Sequence, residues 1–169
     1  MDHIELQWHE REEHHLGPGK ELHILINGQS LIDLVRPVER PFAELEGKPD
    51  LAGQYGWLSD VDCEIQHLKI EECMVMGCNC GIPDCWPLTT QVSLDEDIVC
   101  WSGFRNCHRA EGHTHAWDHS ALGPFTFDRQ QYETAVREMF SQIEAGQLRE
   151  QLISDKLEAD FLAKQGTAT

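Results

Sequence analysis

Basic residues are scarce: 13 Lys and Arg stand against 30 Asp and Glu, a formal charge of −17 with His neutral. A surface this acidic repels nucleic-acid phosphates and anionic lipid, so neither is an expected partner; a basic protein is. Long apolar runs are missing as well. None approaches the roughly 20 residues of a membrane span, and no basic segment leads into an apolar one as in a secretory signal. These absences predict a soluble, cytosolic protein. There is no Gly-rich phosphate loop, no GxSxG and no HExxH, and the Gly17-Pro18-Gly19 turn is too short to cradle nucleotide phosphates. No internal repeat is apparent. A chain of 169 residues suits one domain, expected here over residues 1–164, with residues 165–169 a frayed tail.

What the sequence holds in excess is Cys and His, 7 and 10 of them. An odd cysteine count cannot close a complete disulfide framework, and nothing points to an oxidising compartment. Buried thiols, a metal site and a reactive thiol are the competing explanations.

Periodicity outlines the fold. Ile4, Leu6 and Trp8 alternate with polar residues, as do Leu22, Ile24 and Ile26, which predicts two half-buried antiparallel strands. Ser30 with Leu31, Leu34 and Val35 starts a short helix, which Pro37 is expected to limit. Residues 40–60, rich in Gly and Pro, read as a structured loop. Val61–Ile70 suits a strand, and Cys73-Met74-Val75-Met76 a fully buried one. Thr89–Leu94 and Ile98–Phe104 form a hairpin around Asp95-Glu96-Asp97. Asp128 caps a C-terminal helix, with Gln131 three residues on and Tyr132, Ala135, Val136, Met139, Phe140 and Ile143 at helical spacing. A further helical stretch follows Gly146. Strands first and helices last predict an α+β fold, an antiparallel β-sheet with the C-terminal helix packed on one face.

The densest constellation is Cys78-x-Cys80-x4-Cys85, set between glycines in GCNCGIPDCWPL. Three thiols within eight residues on a tight turn fit a metal knuckle. A fourth ligand would come from Cys107 or His108, or less directly from Cys63, Cys73 or a nearby loop histidine. Zn²⁺ is the expected ion, in a closed structural site. The competing explanation is that Cys78 ends a buried strand and Cys85 anchors a loop. Cys107-His108-x4-His113-x-His115-x3-His119 is a second group, whose histidines could grip Zn²⁺, Ni²⁺ or Cu²⁺ from an extended or a helical segment, although the stretch reads first as a solvated polar loop. As a nucleophile, Cys78 or Cys80 would need a base, and His67, His108 and His113 are all candidates that no spacing separates. Trp101, Arg105 and Arg109 fall on one face if the strand continues, a patch for an anion or a partner carboxylate. The alternative is that these arginines pair with local acids such as Glu111.

Five stretches together resemble a family of small bacterial proteins without an assigned activity: Ile26-Asn27-Gly28 with Leu31 and Leu34, Leu51-Ala52-Gly53 with Tyr55, GCNCGIPDCWPL at 77–88, Val99–Arg109, and LGPFTFDRQQYE at 122–133. The resemblance spans residues 22–145. It implies that Cys78, Cys80 and Cys85 belong to the family pattern, and it supplies no catalytic residue. The reading that results is a binding or regulatory protein organised by a Cys-rich turn. The alternatives are a thiol- or metal-dependent hydrolase on the same cluster, and a thiol redox sensor.

Overall fold

The computed structural model describes residues 1–11, 19–59 and 72–142. Alternation in the first two strands translates directly into pairing. β1 (Ile4–Glu10) and β2 (Lys20–Ile26) are antiparallel, and their register sets Ile4 opposite Ile26, Leu6 opposite Ile24 and Trp8 opposite Leu22. One face of the ribbon is therefore apolar, and Ile4, Leu22, Ile24 and Ile26 are fully buried. A two-residue strand β3 (Gln29–Ser30) returns along β2 and leads into α1 (Leu31–Leu45).

Pro37 does not limit that helix. α1 runs through both Pro37 and Pro41 to Leu45. Each proline removes one backbone donor, but both face solvent, where water satisfies the carbonyl left behind. The opposite face buries Leu31, Val35, Glu39 and Ala43, a stripe at four-residue spacing that holds the helix to the protein. Residues 40–59 are structured, as expected, and hold regular elements besides turns. They contain the end of α1, a 3₁₀ turn at Pro49–Leu51, and the short strands β4 (Tyr55–Gly56) and β5 (Leu58–Ser59). The strand expected over Val61–Ile70 and the helix beyond Gly146 lie outside the described residues.

A second sheet follows the order β4-β6-β7-β8-β9, with β6 (Cys73–Cys78), β7 (Leu88–Leu94), β8 (Ile98–Arg105) and β9 (Phe125–Asp128) all antiparallel to their neighbours. The sheets meet on both sides. Residues 55–59 pair with β6 through β4 and with β2 through β5. On the far side, Asp2 bridges Phe127 of β9. The Asp2 carboxylate accepts from Asn27 Nδ2 and from the Thr126 N–H. The first of these bonds and then the second hold it below the usual carboxylate range.

The C-terminal helix, α2, begins at residue 129 and is described to residue 142. Its start follows the capping rule: Asp128 Oδ1 accepts from the Gln131 N–H at 2.9 Å. The Gln131 side chain does not reach back to close a capping box; its amide donates to the Ile4 carbonyl instead. Tyr132, Val136 and Met139 face the main core, which draws on both sheets and both helices. The fold is α+β, as the order of elements predicts.

One buried polar contact ties α2 to β8. Trp101 Nε1 donates to the Tyr132 hydroxyl at 3.1 Å, with both residues buried. Tyr132→Phe leaves that N–H without its acceptor and is expected to lower unfolding free energy by about 1–3 kcal/mol in urea melts. An unchanged midpoint would mean that the bond contributes nothing.

Candidate metal centre

The cluster begins where β6 runs out. Cys78, its last residue, pairs with Tyr55, and Gly77 pairs with Gly56. The following loop folds back onto the strand so tightly that a Cβ on Gly77 would lie 2.8 Å from Pro83 Cα, so this close approach requires glycine. Gly81 takes a positive φ of 87° and donates its N–H to the Cys78 carbonyl at 3.0 Å. A 3₁₀ turn at Pro83–Cys85 then returns Cys85 to the start of the loop.

As a result the sulfurs of Cys78, Cys80 and Cys85 all lie within 4.8 Å of one another. The Cys80 N–H donates to Cys78 Sγ at 3.5 Å, a bond that strengthens as the sulfur gains negative charge. The thiols are not equivalent. Burial pushes the Cys78 thiol up to about 11. The Ile82 N–H, followed by the Cys78 thiol, draws Cys80 below its ordinary value. No disulfide occurs among the described residues.

A layered wall supports this loop. Trp86, next to Cys85, stacks on His108 with ring centroids 6.1 Å apart and meets Trp117 edge-on at 5.8 Å. His108 Nε2 lies 3.1 Å from the Asp84 carbonyl, joining the wall to the loop. The Arg109 guanidinium sits 4.9 Å from the Trp86 ring centre and 5.3 Å from that of Trp117. Glu46, at the end of α1, accepts from Arg109 Nε at 3.0 Å and from Trp117 Nε1 at 2.6 Å. Burial opposes the Glu46 charge, but these donors outweigh it and hold the carboxyl below its usual range. Lowered in the folded state, Glu46 adds stability that is complete above the unfolded carboxylate pKa and lost as pH falls through the folded value. Urea midpoints should therefore drop below about pH 4, and Glu46→Gln should flatten that drop. An acid limb of equal steepness in the variant would contradict this.

Behind the wall lies a buried polar network. Glu39 is fully buried in α1. Its Oε1 accepts from the Tyr55 hydroxyl at 2.5 Å and from His119 Nε2 at 2.9 Å, and its Oε2 accepts from the Gly53 N–H at 2.8 Å. Asn106 Nδ2 donates to the Tyr55 hydroxyl at 3.3 Å. Burial, then the neighbouring Glu39 charge, pushes the Tyr55 phenol far up, so it stays a neutral donor. Tyr55 thus links the network to Cys78 across the β4–β6 pair.

The structure sorts the residues singled out from sequence. Cys78, Cys80 and Cys85 converge. Cys107 is exposed and His108 is engaged with Asp84 and Trp86; neither belongs to the three-sulfur group. His113 and His115 are exposed, as a polar loop predicts, but His119 is buried against Glu39. Cys73 is buried and Cys100 half-buried, while Cys63 and His67 lie outside the described residues.

Trp101, Arg105 and Arg109 do not share a face. A bulge at Ser102–Arg105, where three steps on β8 match two on β7, turns Phe104 inward and Arg105 outward. Trp101 is in the core, and Arg105 pairs with Glu72 on the surface. Arg109 lies beyond the strand, against the two tryptophans. Both arginines do pair with acids, although with Glu72 and Glu46 rather than Glu111.

Spacing could not reveal Glu39, Tyr55, Asn106 and His119, which span 80 residues. The one available signal was Glu39 at a core position of the α1 stripe. No helix among the described residues is long and apolar enough to cross a membrane. Compared with protein-family models, curated proteins and solved structures, the chain finds no match.

Proposed function

We propose that this is a non-enzymatic binding or regulatory protein whose Cys78, Cys80 and Cys85 thiolates take a Zn²⁺ ion. The observation that carries the reading is the convergence of three sulfurs within 4.8 Å on a loop that folds back tightly at Gly77 and Gly81 and is backed by the Trp86–His108 stack. The donor set fits: thiolate is a preferred ligand for zinc, and the Cys80 N–H is already aimed at Cys78 Sγ. A bound Zn²⁺ would stabilise thiolate at all three positions and cross-link the end of β6 to the returning loop. Solvent, or His108 once released from the Asp84 carbonyl, completes the shell.

The acidic surface suits a basic protein partner, with the metal loop shaping part of the contact. The resemblance to the small bacterial family belongs to this proposal, with the Cys78/Cys80/Cys85 pattern as its shared feature. A hydrolase is less well supported, because His108, the histidine that contacts this loop, has its Nε2 3.1 Å from the Asp84 carbonyl.

The test is metal content of freshly purified protein, paired with a thiol count before and after chelation. About one zinc per chain, and three thiols that become titratable only after chelation, is the expected result. Seven readily titrated thiols and no metal would overturn it.

A further inference from the structure

We propose that Cys80 and Cys85 form a reversible disulfide on exposure to a hydroperoxide, and that this oxidation releases the ion. The second half rests on the metal reading above; the first does not.

The geometry selects the pair. Every sulfur of the cluster lies within 4.8 Å of the others, so a side-chain rotation and a small loop shift bring any two to the roughly 2.05 Å of an S–S bond. Cys78–Cys80 would close a small, strained ring across one intervening residue. Cys78 is also fixed at the end of a strand: its backbone pairs with Tyr55, and Tyr55 is tied to the buried Glu39. Cys80 and Cys85 sit off the strand, in the turn and at the end of the 3₁₀ segment, with four residues between them. Cys85 is exposed and Cys80 partly so, which admits a small oxidant. Cys73, Cys100 and Cys107 join no comparable group among the described residues.

The chemistry balances. The Cys80 sulfur attacks an oxygen of the hydroperoxide, the O–O bond breaks, and the leaving oxygen departs protonated as water or alcohol. Cys80 becomes a sulfenic acid. The Cys85 sulfur then attacks the Cys80 sulfur, the S–O bond breaks, and hydroxide leaves with a proton as water. Two thiols lose two electrons and two protons, and the peroxide is reduced. With two of three ligands tied together, one thiolate remains, too few to retain zinc.

The experiment treats full-length protein with stoichiometric hydrogen peroxide, zinc-loaded and zinc-free. Thiol count, intact mass, disulfide mapping and zinc release to a chromogenic chelator are followed. Loss of two thiols and two hydrogens, a Cys80–Cys85 bridge on mapping, and reversal by a dithiol are expected in both forms. The loaded protein should release its zinc in step. Cys78→Ser should still form the bridge, whereas Cys85→Ser should stop at a sulfenic acid that dimedone traps. Bridging that excludes Cys80 or Cys85, intermolecular dimers, or direct passage of wild type to sulfinic acid would overturn the proposal. If zinc never binds but the zinc-free protein forms the bridge, the metal reading fails and the disulfide stands. If zinc binds and peroxide forms no bridge, the reverse holds.

Discussion

Glu39→Ala is expected to destabilise the fold by about 3–5 kcal/mol, the cost of breaking one side of a buried, hydrogen-bonded pair. The substitution leaves the Tyr55 hydroxyl, the His119 Nε2–H and the Gly53 N–H without their shared acceptor, all in the interior. Each orphaned donor costs about 1–3 kcal/mol, less than additively because local relaxation lets some find water. Against a typical total of about 5–15 kcal/mol this is a large fraction. Glu39→Gln keeps one acceptor oxygen but turns an NH₂ toward either the Gly53 N–H or the Tyr55 and His119 donors, so it should recover only part of the loss. Urea unfolding of Glu39→Ala, His119→Ala and the double variant gives the coupling. An interaction of at least about 1 kcal/mol is expected between groups in such contact, and additive losses would show that the two are not coupled. A Glu39→Ala loss under about 1 kcal/mol would mean that the network is solvated in practice. Because Tyr55 pairs with Cys78, the same variant should also weaken zinc binding, by about 10–100-fold if the network acts as outer support for the ligands.

How much of this was legible in the sequence follows from how far apart the interacting residues lie. The β1–β2 ribbon, the hairpin over Asp95–Asp97 and the Asp128 cap are local, and alternation or capping chemistry exposes them. The three cysteines were legible for the same reason, since all fall within eight residues. Pro37 misled because its usual effect depends on where it points. On the solvent face of a helix anchored every fourth residue, the lost bond is tolerable. The Trp101–Arg105 face was misjudged because alternation assumes an unbroken register, and one bulge reverses the facing of every residue after it. Strand β9 and the 55–59 segment are too short to carry a pattern of their own; their pairing partners define them. The Glu39–His119 contact is set by tertiary packing alone, and a histidine on a polar stretch gives no sign of which acid it will meet.

Cys80→Ser is expected to lower zinc affinity by more than about 100-fold, whereas Cys107→Ser should leave it within about 3-fold. The contrast follows from the geometry. Cys80 is one of three converging sulfurs and its N–H also supports Cys78 Sγ, while Cys107 is exposed and outside the group. His108→Ala should fall between them. It contributes no sulfur, but it stacks on Trp86 and contacts the Asp84 carbonyl, so its loss loosens the loop that presents Cys85. Competition against a chromogenic chelator measures all three. Thermal melts supply an independent check, because an ion that binds only the folded state stabilises it by about 2.7 kcal/mol at 100 times its dissociation constant. For a chain of this size that is roughly 5–10 °C of melting temperature, lost on chelation in wild type and absent from Cys80→Ser. Wild-type affinity in Cys80→Ser, or a loss in Cys107→Ser as large as the one at Cys80, would displace the site from the three-sulfur turn.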